Sequence, residues 1–163
     1  MKTKQFFALA LACVCAVAVG CSKGPKKPAD LPALNPTTVT VVYDDGTPVD
    51  GATVILLPSD GTNPKWNLAG VTDAQGKLVL KTNGNWDGAP AGSYAATVSK
   101  IVTIEGDEVN ADGSREVISD TRYVDEKYNS IQTSGLTAEI KDGDNKIELK
   151  VGEKVEVAVQ TIS

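Results

Sequence analysis

The chain has 163 residues, with 16 basic and 21 acidic side chains and no histidine, for a formal net charge of −5. Phosphate backbones select clustered lysines and arginines, so this acidic balance argues against nucleic acid as a partner. Without histidine, Ser-His-Asp and Cys-His catalysis and His-ligated zinc are excluded.

The chain starts with an export address. Lys2 and Lys4 form a short basic segment, and Phe6 to Val19 is an apolar run of fourteen residues. As a helix that run reaches roughly 21 Å, short of the ~30 Å hydrocarbon core, so it reads as a signal peptide rather than a span. It ends Ala18-Val19-Gly20-Cys21, which resembles a bacterial lipobox, with Ala18 where leucine is more usual. Residues 1–20 are therefore expected to be a lipoprotein signal peptide. Cys21 is the expected lipidation site and the contact with the membrane, on an exported protein facing the periplasm or cell surface. Several acyl chains on one cysteine hold firmly where a single chain would not. Cys13, Cys15 and Cys21 are the three cysteines. The body after them has no disulfide, thiol nucleophile or Cys-ligated metal, and no cofactor is expected. Losing Lys2 and Lys4 with the signal leaves 14 basic against 21 acidic residues, a net charge of −7.

Residues 21–36 follow as the lipidated cysteine and a tether. Pro25, Pro28, Pro32 and Pro36 are four of the eight prolines, and no apolar period is visible. Mostly in polyproline II, such a stretch reaches ~45 Å. Lys23, Lys26 and Lys27 are the only basic cluster and read as a solvated linker.

From Thr37 the period is two. Val39, Val41 and Tyr43 alternate with Thr38, Thr40 and Val42, which predicts a half-buried strand. Asp44 to Pro48 predicts a turn, with Gly46 at positive φ. Ala52 to Leu57 predicts a buried strand ended by Pro58, and Trp66 to Thr72 a third. Asp73-Ala74-Gln75-Gly76 predicts a tight turn into Lys77–Thr82, where Leu78 and Leu80 share a face. Ser93 to Ile104 predicts one long strand, with Tyr94, Ala96 and Val98 inward and a bulge near Ser99 or Lys100. Residues 105–120 are polar with a hairpin tip at Asp112-Gly113, and Val117 and Ile118 are expected to pair back onto Val102 and Ile104. Leu136–Ile140, Lys146–Val151 and Lys154–Ile162 complete seven to nine strands without a helix. The expected fold is all-β, a Greek-key β-sandwich of antiparallel strands over 37–163, transthyretin- or immunoglobulin-like.

Gly46-Thr47-Pro48-Val49-Asp50-Gly51-Ala52-Thr53-Val54, Val71-Thr72-Asp73-Ala74-Gln75-Gly76-Lys77-Leu78 and Pro90-Ala91-Gly92-Ser93-Tyr94-Ala95-Ala96-Thr97-Val98 stand in that order. Together they resemble the carboxypeptidase regulatory-like domain of the transthyretin-like (prealbumin-like) sandwiches. The tail from Glu126 to Leu149 resembles single-domain bacterial lipoproteins built on it. The resemblance covers roughly 39 to 150, apart from 105–120. It implies an accessory or stand-alone module and carries over no catalytic residue.

Two candidate sites remain. Glu108, Asn110 and Asp112 precede Gly113 at alternate positions, part of a calcium-loop pattern. The first position is Glu and the twelfth Ser119, so a solvated hairpin is the plainer reading and no metal is expected. Trp66 and Trp86 lie near loop ends, where aromatic faces could stack on a glycan or meet a partner; the plainer reading makes them plugs of the core. Tyr123 and Tyr128 read as packing residues. Exposed carboxylate pairs such as Asp44/Asp45 have nothing apolar to raise a pKa, and strand 38–43 lacks the lysine an isopeptide cross-link wants. The expected function is non-enzymatic: a lipid-anchored envelope module, structural or adhesive, meeting an envelope protein or glycan. The alternative is a calcium- or glycan-binding accessory domain serving an envelope enzyme or transporter.

Overall fold

The computed structural model describes residues 25–62 and 64–159. The signal peptide and Cys21 lie outside the described residues, as does the end of the last expected strand. Twelve strands are seen among the described residues: β1 (Thr37–Val42), β2 (Thr53–Pro58), β3 (Leu68–Val71), β4 (Lys77–Val79), β5 (Lys81–Thr82), β6 (Trp86–Asp87), β7 (Gly92–Ser99), β8 (Ile101–Val109), β9 (Arg115–Arg122), β10 (Leu136–Ile140), β11 (Asn145–Lys150) and β12 (Val157–Val159). A 3-10 turn at Glu126–Asn129 and one helical turn, α1 (Ile131–Ser134), bridge β9 to β10. The fold is an all-β sandwich.

One layer has the order β11-β1-β4 and the other β10-β7-β2-β3-β5-β6. Alternation places Val39 and Val41 of β1 and Leu149 of β11 against Val54 and Leu56 of β2 and Ala96 and Val98 of β7, all at or near zero exposure. Burying this apolar surface is the main force holding the layers together.

Turn chemistry runs as the sequence suggests. Asp73 Oδ1 accepts from the amides of Gln75 (2.9 Å) and Lys77 (2.8 Å), closing the β3–β4 turn. Gly76 sits at φ 69°, where a Cβ would lie 2.6 Å from the Val41 carbonyl oxygen.

Several expectations need correction. The sheets are not purely antiparallel: β11 runs parallel to β1, from Thr37↔Asn145 to Val42↔Lys150. The chain crosses from one layer to the other at the Asp142–Asn145 turn, so β11 lies beside a distant strand and not beside β10. β2 is not buried throughout, because Thr53 and Ile55 face solvent in alternation with buried Val54 and Leu56. Lys77–Thr82 is two strands in different layers, β4 beside β1 and β5 beside β3, with buried Leu80 at the switch.

The Ser93–Ile104 strand is likewise two, parted at Lys100. β7 lies in the large sheet, and β8 joins β9 and β12 in a third sheet of order β12-β9-β8. A change of sheet breaks the alternation there; the register shifts come later, at Ile104/Glu105 and between Glu105 and Val109. The two segments pair back about the Asp112-Gly113 tip as expected, but Val102 lies opposite Thr121, Ile104 opposite Ser119 and Val117 opposite Glu105.

Within the stretch read as a tether, Leu31 and Asn35 are buried. The Asn35 amide donates to the Ala89 carbonyl at 2.8 Å and the Ala89 amide to the Asn35 carbonyl at 3.0 Å.

Candidate functional site

The chemistry gathers where the β8–β9 ribbon leaves the sandwich. At Lys100 the chain steps from β7 into β8, and its side chain turns back toward the body. There it ion-pairs with Asp50, from the turn before β2. The lysine side chain is 16% exposed and the aspartate 63%, so the pair is half-sunk. Tyr123, just after β9, receives the Lys100 ammonium 5.6 Å and the Lys154 ammonium 5.4 Å from its ring centre. Tyr43 closes the floor by donating its hydroxyl to the Tyr123 carbonyl at 2.9 Å. With Val102 these residues line a cleft of about 380 Å³.

The electrostatics are one-sided. The Lys100 hydrogen bond and charge, with help from Lys154, hold the Asp50 carboxyl below the usual carboxylate value. Burial first, then the charges of Asp50 and Asp45, pushes the Tyr43 hydroxyl above its ordinary 10.0. Both groups are driven away from neutrality, so neither is poised to move a proton near pH 7. The arrangement suits a rigid joint: an ion pair and a ring between two ammoniums fix the ribbon on the body.

Beyond that joint the ribbon is bare. Ile101 (48% exposed), Ile104 (53%) and Ile118 (66%) stand in solvent together with Val102, Val109 and Val117. Six acidic residues, Glu105, Asp107, Glu108, Asp112, Glu116 and Asp120, outnumber Arg115 and Arg122 over 101–122. Scattered exposed aliphatics are ordinary, whereas here six stand on one element.

Glu108, Asn110 and Asp112 lie at the exposed ribbon end. Asp112 Oδ1 accepts from the Ser114 amide at 3.0 Å and hydroxyl at 2.7 Å, and Asn110 Nδ2 donates to Ser114 Oγ at 3.0 Å. The carboxylate closes the hairpin at Gly113, φ 85°. No group of three or more His, Cys, Asp or Glu able to hold a metal occurs among the described residues.

Trp66 and Trp86 are both half-buried and neither belongs to the core cluster. Trp86 pairs across β5 with Thr82, which in turn faces Leu68. Trp66 borders a cleft of about 120 Å³ with Tyr94, Pro32 and Pro90. The Lys65 ammonium lies 5.4 Å from the Trp66 ring centre and is ion-paired to Asp30. The N-terminal stretch thus lies alongside Trp66. Tyr128 is buried, whereas Tyr123 sits at the ribbon joint between two lysines.

Sequence reading did not find the Lys100–Asp50–Tyr123–Lys154 joint. The one signal was the broken alternation at Ser99–Lys100, since a lysine at a strand interruption marks where the chain changes partners.

No family model matches the chain, and no curated protein matches it. Solved structures similar to it include a 9R-lipoxygenase from Cyanothece PCC8801, 15% identical with a TM-score of 0.38, over 79% of this chain and 18% of that one. Another is a D312A form of BcpA, the major pilin subunit of Bacillus cereus, 18% identical with a TM-score of 0.39, over 72% of this chain and 30% of that one. The chain spans less than a third of either protein. Likeness at this level carries no functional argument. Among the described residues no helix is long and apolar enough to cross a membrane.

Proposed function

We propose that this chain is a non-catalytic, lipid-anchored module of the cell envelope whose work is structural or adhesive, with the β8–β9 ribbon as its contact surface. One observation carries the reading: six aliphatic side chains stand exposed on a ribbon that contributes nothing to the core cluster. Burial of apolar surface drives association as it drives folding, and leaving it in water serves no folding purpose. The non-enzymatic part is supported by the missing histidine and by the ribbon cleft, whose carboxylate and tyrosine titrate on opposite sides of neutrality. The anchor is supported by the lipobox-like Ala18-Val19-Gly20-Cys21.

The test compares the intact protein with a form in which residues 101–122 are replaced by a short glycine-serine turn. Each is displayed on cells from Cys21 and assayed for adhesion to envelope fragments. Loss of adhesion with unchanged surface display is the expected result. Equal adhesion by both forms would remove the ribbon from the function. Release of Cys21→Ser protein into the medium would support the anchor.

A further inference from the structure

The N-terminal stretch and the ribbon meet the sandwich at opposite ends. β1 begins at Thr37, directly after that stretch, and its last residue, Val42, leads into Tyr43 at the floor of the ribbon joint. β7 spans the same distance in the other layer. Tyr94, near its start, shares a cleft with Pro32, Trp66 and Pro90, and its end leads into Lys100. The N-terminal stretch is pinned at the first of these ends. Asp30 is ion-paired to Lys65, Leu31 is buried, and Asn35 and Ala89 exchange backbone hydrogen bonds. The ribbon starts at the second, and no residue from 101 to 122 enters the core cluster.

These positions set heights above a membrane. Between Cys21 and Asp30 the chain reaches no more than about 30 Å even at full stretch, so the pinned end stays near the lipid. The eight residues of β7 put the two ends ~26 Å apart, and the nine of β8 carry the ribbon tip up to ~30 Å beyond. We propose that the sandwich is a spacer, holding the ribbon away from the membrane that carries Cys21 so that it meets a basic protein surface on the far side. The inference rests on the proposed anchor and ribbon contact, and adds to them a direction and a class of partner.

The ribbon's charges agree with that direction. Glu105, Asp107, Glu108 and Glu116 enter none of the ion pairs among the described residues. Both arginines are engaged within the chain. Arg115 donates to the Gly106 and Asp107 carbonyls at 3.0 and 3.1 Å, and Arg122 is paired with Glu126 at 2.9 Å. Anionic head groups repel such an element. Lysines and arginines of a facing protein complement it, while the exposed Ile104 and Ile118 supply apolar contact.

Two measurements test this on the full lipidated chain in vesicles of phosphatidylethanolamine and phosphatidylglycerol. Cys13 and Cys15 leave with the signal and the Cys21 thiol is acylated, so one added cysteine carries the donor dye and a labelled head group is the acceptor. Ala91 and Ala111 are both exposed, one at the pinned end and one at the ribbon tip. Energy transfer is expected to be at least about threefold stronger from Ala91→Cys than from Ala111→Cys, given their difference in height. Equal transfer from both, or stronger transfer from Ala111→Cys, would overturn the proposal.

In the second, these vesicles are mixed with others displaying an alternating lysine–valine peptide, and docking is read by light scattering. Docking is expected for the intact chain, and should fall at least about tenfold between about 0.05 and about 0.5 M salt. It should vanish when 101–122 is replaced by a glycine-serine turn. No docking, docking that survives loss of the ribbon, or equal docking by a glutamate–valine peptide would overturn the basic partner and with it the proposal. Failure here is separate from failure of the proposed function. If Cys21→Ser protein is released and adhesion is lost with the ribbon, a tip found at the lipid removes only the outward direction. Cys21→Ser protein that stays on the cells would instead remove the anchor.

Discussion

Thr72, just after β3, ties down the turn before β2 with one hydroxyl. Its Oγ1 donates to the Val49 carbonyl at 2.6 Å and accepts from the Ala52 amide at 2.8 Å, in a site 5% exposed. Thr72→Val keeps the shape and strands both backbone groups away from water. The expected loss is about 2–4 kcal/mol of unfolding free energy, read by urea titration; a loss under about 0.5 kcal/mol would show that the hydroxyl bonds contribute nothing net. The tyrosines set an alkaline limit. Burial raises Tyr94, and burial with Asp50 and Asp45 raises Tyr43, each above 10.0. A group harder to ionise when folded gives stability that is intact below its unfolded pKa and lost as pH rises through the folded one. The melting midpoint should therefore hold up to about pH 10 and fall beyond it, and Tyr43→Phe/Tyr94→Phe should flatten that decline. An unchanged slope in the double variant would place the alkaline loss elsewhere.

At the scale of elements, the ribbon and the sandwich depend on each other very little. The buried aliphatic core has no member between Val98 and Val124. Replacing 101–122 with a short turn should therefore shift the melting midpoint by only a few degrees, since core burial supplies most of the stability. Leu56→Ala, by contrast, should cost about 2–5 kcal/mol, because Leu56 is 1% exposed and its removal leaves a cavity. A collapse of the midpoint on ribbon removal would show that the Lys100–Asp50 joint supports the body as well as the ribbon. The elements also show how far local patterns reach. β1 and β10 read directly from alternation, and the Asp73–Gly76 turn from its own side chains. The β7/β8 break did not, because the residues on either side of Lys100 belong to different sheets, and a period-two pattern carries no information about which sheet a strand joins.

For the whole molecule, the acidic surface bears on calcium. Asp112 is engaged by Ser114 at the ribbon tip, where those hydrogen bonds hold its carboxyl below the usual value. The melting midpoint should stay fixed in millimolar calcium, checked by calorimetry with and without chelator; a rise of several degrees would mean that a site forms around Glu108, Asn110 and Asp112.

By itself the sequence determined the fold class, the turn residues, the lack of histidine chemistry and the inward set Val39, Val41, Tyr94, Ala96 and Val98, because alternation and turn geometry are local properties of the backbone. Only the tertiary structure decided that β11 runs parallel to β1, that residues 101–122 stand off the body as a ribbon, and that Lys100, Asp50, Tyr123 and Lys154 meet at its base. Those features join residues about 30 to 110 positions apart, and partners at such separations are chosen by which sheets pack together, not by anything a short window of sequence records.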